Sequence, residues 1–237
     1  STRKTYEDGM ESMPSESVCY PAKLSHGHIE NLLHQGIKTI FYPCMPYSRK
    51  EYEKADNHYN CPIVISYSEV LKNNVEGLKS KDIKFINPFL PFDKKNLVKK
   101  ILELPEFKEY NFNKKELSEA ADKAEQEYQK CKQDIRNKGT ETVKYIEENN
   151  LRGIVLAGRP YHVDPEINHG IDTLLESLGM AVISEDALSG LVEKFHVNIL
   201  NQRTNHARLN AAAKFISQKP DKEMVQLVSF ALGLHTN

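Results

Sequence analysis

The stretch from Leu151 to Asp172, LRGIVLAGRPYHVDPEINHGID, constrains the fold of this chain more than any other. An apolar run over residues 153–157 stops at Gly158, and a polar loop and a helical pattern follow it. A short aliphatic run bounded by glycine is typical of a buried parallel strand, and α/β proteins bind ligands at the carboxyl ends of such strands. The stretch therefore predicts a strand, a functional loop and a helix.

A second strand is predicted directly after that helix. The apolar stripe of the helix has five members: Ile167, Ile171, Leu174, Leu175 and Leu178. Gly179 ends it before the apolar residues 180–183, which gives a β-α-β unit. Gly158 is the only glycine in the loop after the first strand, so the GxGxxG series of dinucleotide-binding proteins is missing. An NAD-type pyrophosphate site is disfavoured.

The rest of the chain also alternates between helical and strand patterns. The predicted elements are a helix from Pro21 to Gly36, a strand over 37–42, a helix from Pro62, a strand over 83–90, a helix from Asp93 to about Leu104, a charged helix over 113–148 that is long or kinked at Gly139, a helix over 207–216 and a strand over 224–230. Alternation of this kind indicates an α/β protein with parallel sheets. The polar residues 1–16 show no sustained period and predict a loosely held segment.

Length and pattern together predict two α/β domains joined by the long helix. The predicted boundaries are a flexible lead-in over 1–14, a first domain over 15–112, a connecting helix over 113–149 and a second domain over 150–237. The chain opens at Ser1 without a methionine, which favours an internal piece of a longer protein.

Charge and hydropathy exclude two classes of partner. The formal net charge of −1 offers no excess of positive charge for nucleic acid or an anionic membrane. No apolar run approaches the roughly 20 residues that span a bilayer, and no signal-peptide pattern is found. The sequence therefore predicts a cytoplasmic protein.

Three cysteines are placed where strand and helix patterns end. Cys19 and Cys61 precede predicted helices, Cys44 follows a predicted strand, and each lies near a proline. Loops at strand ends can meet in space in an α/β sheet, and clustered thiolates bind iron–sulfur centres or zinc. The alternative is three unrelated buried thiols, because free cysteine packs as a small hydrophobe. Cys131 lies inside the long helix and predicts no ligand role.

Zinc is a second possibility for these thiols. His26, His28 and His58 lie near them in sequence, and three cysteines with one histidine form a closed structural zinc set. The cysteines occur singly, however, whereas structural zinc sites favour close pairs. Iron–sulfur therefore ranks ahead of zinc.

The loop after the first strand of the β-α-β unit carries the candidate catalytic residues Arg159, His162 and Glu166. Arginine binds a carboxylate or phosphate through its planar fork, and histidine and carboxylate side chains move protons, as Asp164 and His169 also could. The alternatives are a salt-bridged arginine and acids that complement a helix dipole. No nucleophile elbow and no phosphate-binding GxxxxGK[ST] loop is found, so the sequence predicts no ATPase site.

Four strings carry a resemblance to a known family. SESVCYPAKLSHGHIENLL, AGRPYHVDPEINHGID, NQRTNHARLNAAA and VQLVSFALGL resemble, in this order, segments of the large acyl-CoA dehydratase activase-related proteins. These proteins look like relatives of the 2-hydroxyacyl-CoA dehydratase subunits, often fused to ATPase activase domains. The resemblance covers the chain from about Ser15 onward.

The resemblance implies two Rossmann-like or flavodoxin-like domains and a 4Fe-4S cluster held by single cysteines in the cleft between them. Cys19, Cys44 and Cys61 are the ligands that it implies here, with residues 158–169 as the opposite wall of that cleft. It further implies ATPase activase domains as fused or separate partners, an acyl-CoA substrate and a dimer. The chain departs from the family pattern in its tail, where residues 229–233 read SFALG without the cysteine found in relatives, and at Arg203 and Asn205.

Overall fold

The computed structural model of the protein describes residues 1–91, 93–192, 206–219 and 222–228. It has mixed helices and strands with two small parallel sheets, so the predicted α/β class is confirmed. The chain divides into two compact units. The first unit comprises residues 2–49 and 59–127, and the second comprises residues 1, 50–58 and 128–237.

The first unit is built around a two-stranded parallel sheet. Its elements are α1 (Arg3–Gly9), a 3-10 turn (Met10–Ser12), α2 (Tyr20–His34), β1 (Thr39–Phe41), α3 (Pro62–Asn74), a 3-10 turn (Glu76–Lys79), β2 (Lys84–Ile86), α4 (Lys94–Glu103), a 3-10 helix (Pro105–Tyr110) and the first part of α5 (Lys114–Glu148). Ile40 lies opposite Phe85 in the sheet. The core packs Ile29 of α2 and Leu71 of α3 against Ile40.

Local sequence explains where three of these helices begin or end. Pro21 and Pro62 lie in the first turns of α2 and α3, where the missing N–H is not needed. The Asp93 side chain accepts a hydrogen bond from the Asn96 N–H at 3.0 Å and caps α4. Gly36 follows α2 with φ of +77°, a conformation that glycine adopts without strain. The predictions for these helices are confirmed.

Helix α1 was not predicted, since residues 1–16 indicated a loosely held segment. It packs on α2 through glycine rather than through an apolar stripe. A Cβ atom on Gly27 would lie 1.6 Å from the Thr5 carbonyl oxygen, and one on Gly9 would lie 2.3 Å from the Gly27 nitrogen. The two backbones therefore touch, and a contact of this kind leaves no hydrophobic period in the sequence.

The second unit is built around a three-stranded parallel sheet in the order β4-β3-β5. Its elements after α5 are β3 (Arg152–Ala157), a 3-10 turn (Pro160–Val163), α6 (Pro165–Asn168), α7 (Ile171–Ser177), β4 (Met180–Ser184), α8 (Glu185–Leu188), α9 (His206–Ser217) and β5 (Lys222–Gln226). Val155 of β3 pairs with Ile183 of β4, and both pack against Phe215 of α9. The predicted β-α-β unit is confirmed.

Helix α5 runs without a break through Gly139. A Cβ atom at this position would lie 2.1 Å from the Ala187 carbonyl oxygen, so the glycine admits α8 against α5. The division between the two units falls inside α5, between residues 127 and 128. The boundaries expected at the two ends of this helix remain a prediction.

Two expectations in the second half of the chain differ from the structure. The helix expected over 167–178 is interrupted, because His169 and Gly170 have φ of +55° and +76° and separate α6 from α7. Leu174 and Leu178 of its apolar stripe are 58% and 62% exposed. The strand expected over 224–230 begins earlier, at Lys222. Its residues 229–230 and the rest of the tail, like Arg203 and Asn205, lie outside the described residues.

No helix in the described ranges is both long enough and apolar enough to cross a membrane. The 35 residues of α5 provide the length, but its sequence is strongly charged.

Candidate functional site

The three predicted ligand cysteines all belong to the first unit. Cys19 precedes α2 and Cys61 precedes α3, and both thiols are half-buried. Neither side chain makes a capping hydrogen bond to its helix. Cys131 is exposed on α5, in the second unit.

Cys44 lies at the carboxyl edge of the first sheet. Its backbone extends the parallel pairing beyond β1, because its N–H donates to the Pro88 carbonyl at 2.9 Å and its carbonyl accepts from the Leu90 N–H at 3.0 Å. The side chain is fully buried, and Sγ lies 2.8 Å from Ser68 Oγ on α3. The thiol is therefore held between the sheet edge and α3.

The three histidines considered for zinc have different surroundings. His26 is buried on α2 with Nδ1 2.8 Å from Ser12 Oγ, and burial lowers its pKa. His28 is exposed on the same helix, and His58 belongs to the second unit. Within the described ranges, no three His, Cys, Asp or Glu side chains are grouped so that they could hold a metal ion.

The loop after β3 is organised by His162. The Arg159 N–H donates to His162 Nδ1 at 2.8 Å, which places the proton of the neutral ring on Nε2. Burial, aided by the charge of Arg159, lowers the pKa of His162 to about 4, so the ring is neutral at pH 7. Gly158 leaves room for it, since a Cβ atom there would lie 2.3 Å from Nδ1. The buried His162 ring therefore fixes the start of the loop, because it binds the Arg159 backbone N–H from within the 3-10 turn.

The other two candidate catalytic residues lie on either side of His162 in the sequence. Arg159 is half-buried directly before the 3-10 turn. Glu166 is half-buried in the first turn of α6, where its N–H donates to the Asp164 carboxylate at 2.9 Å. Asp164 thereby caps α6. The catalytic roles of Arg159, His162 and Glu166 remain predictions.

A group of buried charges at the carboxyl edge of the second sheet was missed by sequence reasoning. Glu185 directly follows β4, and because Ser184 pairs with Leu156, Glu185 and Gly158 lie at the same edge of the sheet. Arg208 of α9 is buried, with Nη2 3.4 Å from Glu185 Oε1, and its Nη1 contacts Asp186.

Glu185 is set up to titrate near neutral pH. Burial and the nearby charge of Asp186 raise its pKa to about 7, and Arg208 opposes the shift. A buried carboxyl of this kind at a sheet edge can take up or release a proton, which is a property of general acids and bases. The sequence signal that could have identified this group is the position of Glu185 and Asp186 just after a predicted strand.

The fold and these groups define an α/β protein with unpaired thiols in one unit and a buried ionic group in the other. The sequence model of the CoA enzyme activase uncharacterised domain (DUF2229) matches residues 1–188. The chain belongs to this family, and its resemblance to activase-related proteins is confirmed. Comparison with curated proteins and with solved structures gave no match.

Proposed function

We propose that the chain is the thiol-bearing module of a CoA enzyme activase system, in which Cys19, Cys44 and Cys61 hold an iron–sulfur cluster that passes electrons to a CoA-substrate enzyme. The observation that carries this proposal is the presence of all three thiols, none of them in a disulfide, within one compact unit. Membership of an activase family supports the same reading.

The donor set fits such a cluster in kind, because cysteine thiolates are the usual ligands of iron–sulfur centres. A bound cluster supplies one-electron chemistry. Ser68 Oγ lies 2.8 Å from Cys44 Sγ, and a hydrogen bond at this sulfur would tune the potential of a cluster that Cys44 held. The arrangement of the described residues does not fit a cluster, because no three of their His, Cys, Asp or Glu side chains are grouped so that they could hold a metal ion. The proposal therefore rests on donor chemistry and family membership.

Metal analysis on protein purified without oxygen tests this proposal. Iron and sulfide are quantified together with zinc in the full chain, and the reduced protein is examined by EPR. Cys44→Ser should lose iron, while Cys131→Ser, a change at an exposed thiol outside the proposed set, should retain it. An iron-free wild-type protein would refute the cluster, and stoichiometric zinc in its place would identify a zinc-stabilised structural domain.

An exposed aromatic cluster favours a second candidate, a non-catalytic docking or scaffold domain for a dehydratase or activase partner. The rings of Phe41, Phe107, Tyr110 and Phe112 neighbour one another in the first unit with centroids 5.5–6.2 Å apart. Phe41 and Tyr110 are 46% and 52% exposed. Grouped aromatic side chains on a surface are typical of protein interfaces.

Capture by a purified ATPase activase and by a purified CoA-substrate dehydratase tests the docking candidate. Tyr110→Ser should weaken the capture of the iron-free chain, whereas Tyr145→Ser, at an exposed tyrosine of α5 in the second unit, should not. Equal loss with both variants, or no capture at all, would rule this candidate out. Acyl-CoA binding, a dimer and a cytoplasmic location remain predictions.

A further inference from the structure

The sheet of the first unit has an open edge along β1. In a parallel pair, alternate residues of a strand direct their backbone N–H and C=O groups to the same neighbouring strand. The Lys38 carbonyl accepts from the Lys84 N–H of β2 at 2.7 Å, and the Tyr42 N–H donates to a β2 carbonyl at 2.9 Å. The backbone groups of Thr39 and Phe41 therefore point away from β2. Within the described residues these groups have no hydrogen-bond partner.

Exposure distinguishes this edge from the one on the far side of β2. Thr39 is exposed, and Phe41 and the preceding Ile37 are 46% and 39% exposed. On the β2 side the residues that point outward in the same way, Phe85 and Asn87, are half-buried. An edge with unpaired backbone groups and exposed apolar side chains is a surface on which a further strand can pair. The β1 edge is therefore an interaction surface.

We propose that β1 pairs antiparallel with β1 of a second copy of this chain, about a twofold axis at Ile40. In this register Thr39 of each copy lies opposite Phe41 of the other, and each residue donates its N–H to the carbonyl of the residue opposite. The backbone groups that are open in the single chain are then all paired. The two sheets become one, in the order β2-β1-β1-β2. This inference concerns self-association and rests on neither of the two proposed functions.

The side chains of β1 favour a second copy over an unrelated strand. Aromatic and β-branched residues that lie opposite each other stabilise antiparallel strands, and the pair of Thr39 with Phe41 is of this type on both sides of the axis. Two Ile40 side chains meet at the axis itself, on the face that Ile29 and Leu71 cover. An unrelated strand would have to supply the same pattern, which β1 supplies to itself.

Charge selects the antiparallel direction. Lys38 is the only residue between positions 37 and 43 with a charge at neutral pH, and like charges directly opposite each other destabilise a strand pair. An in-register parallel pair would bring the two Lys38 side chains together. In the antiparallel register Lys38 lies opposite Tyr42, whose ring attracts a nearby ammonium group. The twofold axis closes the assembly as a dimer.

Sedimentation of the full chain and residue-resolved amide hydrogen exchange test the proposal together. Because the paired edge is short, the dimer should be weak, with a Kd between about 1 μM and 1 mM. As the dimer forms with rising concentration, the Thr39 and Phe41 amides should become protected from exchange. The Tyr42 amide, which already donates to β2, should be protected at every concentration.

Three results of these measurements would overturn the proposal. One is a chain that stays monomeric at about 1 mM. Another is a dimer that leaves the Thr39 and Phe41 amides unprotected, because it would use a different surface. The third is protection that requires the addition of another protein, which would assign the edge to that protein.

Thr39→Pro tests the backbone pairing. It removes an outward N–H and leaves the hydrogen bonds to β2 in place, since proline is tolerated where a strand N–H faces solvent. Symmetry removes two hydrogen bonds of the dimer at once, so the dimer should weaken by at least about tenfold. Thr39→Val keeps the N–H and the β-branched shape, and it should preserve the dimer.

Phe41→Lys tests the side-chain contact and decides the matter if Thr39→Pro does not fold. The change removes the ring opposite Thr39 and puts a charge on the edge, so the dimer should again weaken by at least about tenfold. Phe89→Lys is the matched control, because Phe89 is 53% exposed and lies on the β2 side of the sheet. Equal dimerisation of the two lysine variants would overturn the proposed contact.

Discussion

The two units bury polar groups of opposite character. In the first unit the buried polar side chains that contact one another are neutral, as in the Cys44–Ser68 and Ser12–His26 pairs. In the second unit they are ionic, as in the contact of Arg208 with Glu185, beside which the half-buried Asp186 also contacts Arg208. Because buried ions depend strongly on their partners and on proton concentration, the second unit should be the more sensitive to both.

The ionic burial of the second unit continues on its other outer strand. Lys222 begins β5, is 5% exposed, and has Nζ 3.7 Å from Glu147 of α5. Strands β5 and β4 lie on either side of β3. Lys222 begins β5, and Glu185 directly follows β4. The sheet of the second unit thus has a buried charge at each of its two outer strands, whereas the first sheet is covered by Ile29 and Leu71.

Replacement of Arg208 should produce the largest effect. Arg208→Met would leave Glu185 and Asp186 without their buried counter-charge, and loss of one partner of a buried ion pair costs about 3–5 kcal/mol. Denaturant unfolding at pH 8, where Glu185 is ionised, measures the loss. At pH 5 the loss should be smaller, because Glu185 is protonated there.

Leu71→Ala is the matched change in the core of the first unit. Leu71 is 1% exposed, and the lost contacts and the cavity should cost about 3 kcal/mol. This cost should be the same at pH 5 and pH 8, since no charge is involved. A loss for Leu71→Ala that varies with pH as much as that of Arg208→Met would remove the distinction between the units.

Two groups of the second unit, His162 and Glu185, titrate in opposite senses. The lowered pKa of His162 makes its contribution to stability largest above pH 6.5, and that contribution is lost as the pH falls towards 4. The raised pKa of Glu185 acts in the opposite sense, because its contribution is largest below about 4.5 and is lost as the pH rises through 7. Between pH 7 and pH 5 each changes the free energy of unfolding by about 2 kcal/mol, so they nearly cancel.

Single variants should expose each titration separately. With His162→Asn, whose amide oxygen can still accept from the Arg159 N–H, stability should rise by about 2 kcal/mol between pH 7 and pH 5. With Glu185→Gln it should fall by a similar amount over the same interval. Two variants with the pH profile of the wild type would show that neither group is shifted as described.

The smallest effect is expected at Ser68. Ser68→Ala removes the hydrogen-bond partner of Cys44 Sγ in the first unit and should cost about 1 kcal/mol, independently of pH between 5 and 7. Ser66→Ala is the control, because Ser66 Oγ donates to the Ile63 carbonyl of its own helix. If both variants were equally stable, the contact between Cys44 and Ser68 would carry no net energy.

Sequence patterns predicted the elements that have an apolar period or a local start signal. Helices α2, α3 and α4 begin after Cys19, Cys61 and Asp93 as expected, and β3 and β4 follow their aliphatic runs. Helix α1 could not be found in this way, since its contact with α2 is made by Gly9 and Gly27. The break at His169 is not predictable from the sequence pattern, because a positive φ at a non-glycine residue does not alter the hydrophobic period.

The sequence predicted where the candidate site residues lie relative to strands and helices, but it did not predict which charged side chains are buried. The loop after β3 and the cysteines at element ends were identified from sequence. The burial of Glu185 and Arg208 was not, because charged residues in a helical pattern resemble a solvated face. Only the tertiary contact between α8 and α9 distinguishes the two cases.

Gly158 and His162 form a pair whose consequence reaches beyond a single chain. Any side chain at position 158 would occupy the space of the His162 ring, so the two positions constrain each other. Among homologous sequences, a residue larger than glycine at 158 should be found with a smaller residue than histidine at 162. Positions 158 and 162 are thus expected to change together in evolution, and an alignment of homologous sequences should show covariation between them.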